Sequence, residues 1–142
     1  MYEKRKHIAR LFLNRPEAGN ALDPNLGGKL LLALKEVQSE DAIRVVVLTG
    51  AGKAFCAGGD VRFLLGDISR RTVLEIRDFL KEMGMPILTL RELRQAVIAA
   101  INGPAVGAGF DLLLNCVFRV SSQDATMGPT WIRNGIIPAL GW

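Results

Sequence analysis

Histidine is nearly absent from this sequence: His7 is the only one. It stands at the start of an apolar run and reads as a surface residue, so chemistry built on an imidazole base is not expected. Cysteine is almost as scarce. Cys56 and Cys116 both sit in apolar surroundings, so neither suggests a disulfide framework. Aromatics make up 6 % of the chain, and the basic residues (Lys4, Arg5, Lys6, Arg62, Arg70, Arg71, Arg91, Arg94) are scattered. A nucleic-acid surface needs clustered basic residues with aromatics among them, so no nucleic-acid partner is expected. No apolar run reaches about 18 residues, and no apolar leader precedes the first strand. The sequence therefore points to a soluble, cytoplasmic protein with no membrane partner. Long polar tracts are missing too, which argues against disorder.

What remains suits one domain over residues 1–142. Hydrophobic residues are 49 % of the 142, enough to bury a core, and the net charge of +4 is modest but favourable to a small anionic ligand. The fifteen glycines cluster at turns and in two loops.

Residues 7–13 alternate roughly and predict a strand. Residues 14–21 carry turn chemistry. Asp23 before Pro24 is an N-cap with proline at the first helical position, and Leu26, Leu30, Ala33, Leu34 and Val37 recur at helical spacing, so a helix runs to about Ser39. Residues 43–48 form an apolar strand suited to cover on both faces. Residues 61–65 suggest a short helical turn, and 66–71 a polar, mobile stretch. A helix follows from Val73 to about Gly84, then a third from Pro86 to about Arg94. A strand over 97–101, a helix over 107–115, a short strand over 117–120 and a helical turn over 128–133 complete the pattern. Alternating strands and helices give an α/β fold.

Two strand-to-loop units stand out. Residues 45–60 run Val-Val-Val-Leu-Thr-Gly-Ala-Gly-Lys-Ala-Phe-Cys-Ala-Gly-Gly-Asp. Residues 97–109 run Val-Ile-Ala-Ala-Ile-Asn-Gly-Pro-Ala-Val-Gly-Ala-Gly. Each ends in a loop almost bare of side chains, where a ligand can approach the backbone. Two sets of bare amides aimed at one oxygen form an oxyanion hole. Neither loop is a nucleotide motif. The Gly52-Lys53 pair has Val47 where a phosphate loop needs glycine, and Leu112 stands where a dinucleotide fingerprint needs its last glycine.

Asn14-Arg15-Pro16, Asn20-Ala21-Leu22, the strand ending Leu48-Thr49-Gly50, Phe55-Cys56-Ala57-Gly58-Gly59-Asp60 and Ile101-Asn102-Gly103-Pro104-Ala105-Val106-Gly107-Ala108-Gly109 together resemble the crotonase (enoyl-CoA hydratase/isomerase) superfamily. The resemblance covers about residues 7–141. It implies a spiral of β-β-α turns, with the family's C-terminal helical part missing, and a homo-oligomer (trimer or hexamer). It also implies an acyl-CoA substrate and no separate cofactor or metal. By the family's pattern, the amides of Gly59 and Ala108 hold the thioester oxygen. The helix begun at Gly107 adds its dipole at Ala108. Ala57 and the stretch Gly59, Asp60, Val61 and Arg62 line the thioester and pantetheine. Asn20 and Ala21 meet the nucleotide end.

The departures fall on the acids. The first of the family's two glutamates is matched by Asp111, a carboxylate one methylene shorter and the expected proton carrier. The second falls on Trp131, which cannot act as a general acid or base, and a later acidic site falls on Ala139. Trp131 is expected as pocket wall or core, and Asp60 as a loop-stabilising acid. Water addition by two carboxylates is impaired on this pattern, whereas shuttling a proton across a double bond needs one. The expected function is enolate stabilisation in an enzyme of this family. The alternative is a catalytically silent acyl-CoA-binding or assembly module.

Overall fold

The structure, a computed structural model, describes residues 1–68 and 70–134. Strands β1 (Tyr2–Arg5), β2 (Ile8–Leu13), β3 (Val45–Gly50), β4 (Ala96–Ile101) and β6 (Phe118–Ser121) form a five-stranded sheet in the order β1-β2-β3-β4-β6. β1 runs antiparallel to β2, and the other pairs are parallel. A second ladder lies alongside. It joins Leu22 to Gly59, Cys56 to Ala105, and β5 (Ala105–Val106) to β7 (Met127–Gly128). Each turn of chain thus adds one strand to the large sheet and one short segment to the small ladder. Helices α1 (Pro24–Ser39), α2 (Val61–Ile68), α3 (Val73–Glu92) and α4 (Ala108–Leu114) connect the turns. This is the β-β-α spiral that the resemblance implies.

Pleating sets the core. Ala9, Leu11 and Leu13 of β2, Val46 and Leu48 of β3, and Val97, Ala99 and Ile101 of β4 share one sheet face and are buried. Leu30, Leu34, Val37, Ile87 and Leu90 from α1 and α3 join the same cluster. α1 has the expected bounds because Asp23 Oδ1 accepts the Leu26 amide at 2.7 Å with Pro24 at the first position.

Several elements differ from the sequence reading. β1 was not expected: Tyr-Glu-Lys-Arg carries no apolar alternation, and only its pairing to β2 makes it a strand. β3 starts two residues later than expected, and only one of its faces is fully buried; Val45, Val47 and Thr49 are half-buried. α2 runs to Ile68 rather than ending near Leu65. The two helices expected on either side of Met85 are one, with Pro86 inside it. Proline within a helix costs about 3 kcal/mol. Here Phe79, Met83, Pro86, Ile87 and Leu90 are all buried, which offsets that cost, and Met83 packs over the bare surface of Gly27. A Thr72–Glu75 capping box fixes the start of α3. Ala139 lies outside the described residues. Among the described residues no helix is long and apolar enough to cross a membrane.

Candidate active site

The bare loops after β3 and β4 meet. The Phe55 and Cys56 amides each donate to Pro104 O at 3.0 Å, and the Val106 amide donates to Cys56 O at 3.0 Å. Gly109 makes the packing possible: a Cβ there would lie 2.3 Å from Cys56 O. Gly103 does the same at the base of the loops, where a Cβ would lie 2.0 Å from Lys53 O. Beyond Cys56 the segments stop pairing. Gly58 turns with φ +98°, and a Cβ built on it would lie 3.5 Å from Ala108 N.

On its other side the first loop is tied to the chain before α1. The Leu22 amide donates to Gly58 O at 2.7 Å, and the Asp60 amide to Leu22 O at 2.8 Å. Successive amides of an extended chain point to opposite sides. The Gly59 amide, between these two, therefore faces away from Leu22. Among the described residues no acceptor is found for it. Nor is one found for the amide of Ala108, which as the first residue of α4 has no partner within the helix.

Asp111 follows one turn later, its amide donating to Gly107 O at 3.0 Å. Its side chain is 3 % exposed, and Oδ1 has no hydrogen-bond partner among the described residues. Burial pushes its carboxyl up from the ordinary value, and the polar edge of the nearby Trp131 side chain draws it partly back. Trp131 is half-buried in the 3-10 turn Thr130–Asn134. Its Cδ1 lies 3.8 Å, and Thr130 Oγ1 3.5 Å, from where a Gly107 Cβ would stand. Gly107 has φ +53° and no side chain, and so lets that turn close over the start of α4.

Asp60 is engaged by protein. Its Oδ2 accepts Arg15 Nη1 at 2.6 Å, and its Oδ1 accepts the Arg62 and Phe63 amides at 3.0 and 3.3 Å, capping α2. The Arg15 hydrogen bond, with the two amides adding to it, holds its carboxyl below the usual range. This is the loop-stabilising part expected of it. Asn20 is wholly buried with φ +58°. Its Oδ1 accepts the Arg15 amide, and its Nδ2 donates to Ala51 O and Ala54 O. Its side chain is spent on shaping the loop. Asn102 clasps the same loop from β4, accepting the Gly50 amide at 3.1 Å and donating to Gly52 O at 2.9 Å. Ala21 is buried, Ala57 is exposed, and Val61 and Arg62 are exposed where α2 begins.

The structure thus gathers Gly59, Ala108, Asp111 and Trp131 around the junction of the two loops. Asn20 and Ala21 lie behind the first loop. Arg15 was missed as a site residue. Its motif was visible, but no local pattern names a partner 45 residues away. Among the described residues no group of three or more His, Cys, Asp or Glu could hold a metal ion.

A family model described as enoyl-CoA hydratase/isomerase matches residues 3–142. The chain belongs to the enoyl-CoA hydratase/isomerase family. This family member is 39 % identical over 132 residues to the (E)-benzylidenesuccinyl-CoA hydratase of Thauera aromatica, covering 92 % of the chain and 50 % of that protein. It is 34 % identical over 141 residues to the crotonyl-CoA hydratase of Syntrophomonas wolfei, covering 98 % and 52 %. Among solved structures, an enoyl-CoA hydratase from Bacillus anthracis superposes with a TM-score of 0.90 at 34 % identity, covering 99 % of the chain and 54 % of its own. Pseudomonas aeruginosa AtuE gives 0.92 at 28 %, with the same coverage. The chain spans about half the length of the curated relatives it matches.

Proposed function

We propose that this family member binds an acyl-CoA thioester, without a separate cofactor, and stabilises its enolate between the amides of Gly59 and Ala108. The observation that carries this reading is the pair of amides that find no acceptor among the described residues, on loops in contact, beside a buried carboxylate. Two fixed donors cost no reorganisation as charge develops on the thioester oxygen, and each is worth roughly 10² to 10³ in rate.

Asp111 carries the proton. With a 3-enoyl-CoA, its carboxylate takes a proton from C2, and the C2 electron pair flows toward the thioester carbonyl, placing charge on the oxygen between the amides. The enolate then collapses, the double bond moves to C2–C3, and the proton returns at C4. Nothing is lost or gained, and one acid suffices. Trp131, where the second acid of a hydratase would stand, speaks for this proton shuttle over water addition.

Ala108→Pro tests the reading. Proline fits the first position of a helix but deletes the donor. Turnover of a 3-enoyl-CoA should fall at least 10²-fold in a variant that stays folded by circular dichroism. Gly59→Ala keeps its N–H at an ordinary φ and should retain most activity. A folded Ala108→Pro protein with wild-type turnover would refute the assignment of that amide. A second reading, a binding module without chemistry, is favoured by the same indole at position 131; acyl-CoA binding by calorimetry with no product would support it.

A further inference from the structure

The reading above leaves Trp131 outside the chemistry. Its surroundings give it a different task. A single point, where a Cβ of Gly107 would stand, lies 3.7 Å from the α-carbon of Gly58 in the first loop and 3.8 Å from Trp131 Cδ1. The indole therefore packs where the two bare loops meet. Gly107 is also the residue before Ala108, whose amide is one of the two proposed donors. Trp131 is half-buried, yet its ring nitrogen is buried. What the side chain shows to solvent is therefore carbon.

We propose that Trp131 is a specificity-determining residue: its indole forms one wall of the acyl site and selects acyl groups that are aromatic or conjugated next to the thioester. The inference rests on the acyl-CoA reading above and deepens it by naming the substrate class. The first few acyl carbons lie closest to the amides that hold the carbonyl, so they are the ones that meet the indole. A flat π-system there can stack on an aromatic wall or meet it edge to face. A saturated ring of similar size is puckered and has no quadrupole to match. An aromatic pair is worth roughly two- to tenfold in binding beyond the area it buries.

Calorimetric titration with benzoyl-CoA and cyclohexanecarbonyl-CoA tests the proposal. Neither is a 3-enoyl thioester, so binding is read without the proposed turnover. The quantity is the ratio of their Kd values. Wild type should prefer benzoyl-CoA by about two- to tenfold more than Trp131→Leu does. Trp131→Phe keeps an aromatic ring and should restore part of that preference. Free CoA has no acyl group and should bind all three proteins alike, which also shows that the variants are folded. An equal ratio in wild type and Trp131→Leu would overturn the proposal. A second readout needs no change at position 131. The chain has two tryptophans, so in Trp142→Phe the remaining indole is that of Trp131. Its emission should change on saturation with benzoyl-CoA and stay as it is with free CoA. Emission indifferent to benzoyl-CoA would also overturn the proposal.

The two readings fail separately. If neither thioester binds, the acyl-CoA reading falls and takes this one with it. If both bind and their ratio ignores position 131, the wall falls alone.

Discussion

Arg15 Nη1 lies 2.6 Å from Asp60 Oδ2 and joins two loops across 45 residues of sequence. The same guanidinium donates to Ala21 O at 3.2 Å and lies 3.6 Å from Asp23, the N-cap of α1. Asp60 in turn caps α2. One ion pair thus sets how the first bare loop leaves the ladder.

Asp60→Asn should destabilise the protein by about 1–2 kcal/mol at pH 7, measured by urea unfolding. The folded carboxyl titrates below its unfolded value, with the Arg15 bond as the largest cause. The contribution is therefore present above the unfolded carboxylate range and is lost as pH falls through the folded value. The difference between wild type and variant should shrink on acidification. A gap that widens toward low pH would contradict the pairing.

Asp111 has the opposite sign. Burial raises its folded pKa, so its ionisation costs stability as pH rises through and above the unfolded value. Asp111→Asn should melt higher than wild type at pH 8. The gap should close as the pH falls below the unfolded carboxylate range. The same variant should lose turnover if Asp111 carries the proton.

Glycines separate packing from backbone freedom. Gly109→Ala would place a Cβ 2.3 Å from a backbone oxygen of Cys56, and it should cost several kcal/mol, on the order of 2–4 by comparison with other overpacking changes. Gly28 lies in the exposed face of α1 with nothing within 4 Å of an added Cβ. Gly28→Ala should stabilise by about 0.5–1 kcal/mol. Thermal unfolding of the two variants reads the contrast directly.

Both cysteines are buried, and burial pushes each thiol up to about 12. Neither should react with a thiol reagent at pH 8 in the native protein. Both should react at once in denaturant. Rapid native labelling of one thiol would mean that the loop seam at Cys56 or the end of α4 opens readily.

Much of this was legible in the chain. Asp23-Pro24 marked the start of α1, and the bare loops after β3 and β4 were visible as strings of small residues. The physics there is local, set by caps and by the absence of side chains. What was hidden depends on partners distant in sequence. β1 is a strand only because β2 lies beside it. Pro86 would end a helix in isolation, yet burial of its neighbours carries α3 through. The tasks of Arg15 and Asn20 follow from carbonyls and a carboxylate that no periodicity locates. Asp111 was legible as an acid, whereas the place of Trp131 depends on a fold that brings residue 131 back over Gly107.

The seam between the two loops is made of main-chain bonds among Phe55, Cys56, Pro104 and Val106, with glycine where they press closest. Beside it the Asn102 side chain clasps the first loop, and the lining positions take no part. Positions such as Val61, Arg62 and Trp131 can thus vary without loosening the seam. Substituents at the rim can therefore be exchanged while the main-chain floor beneath them stays put.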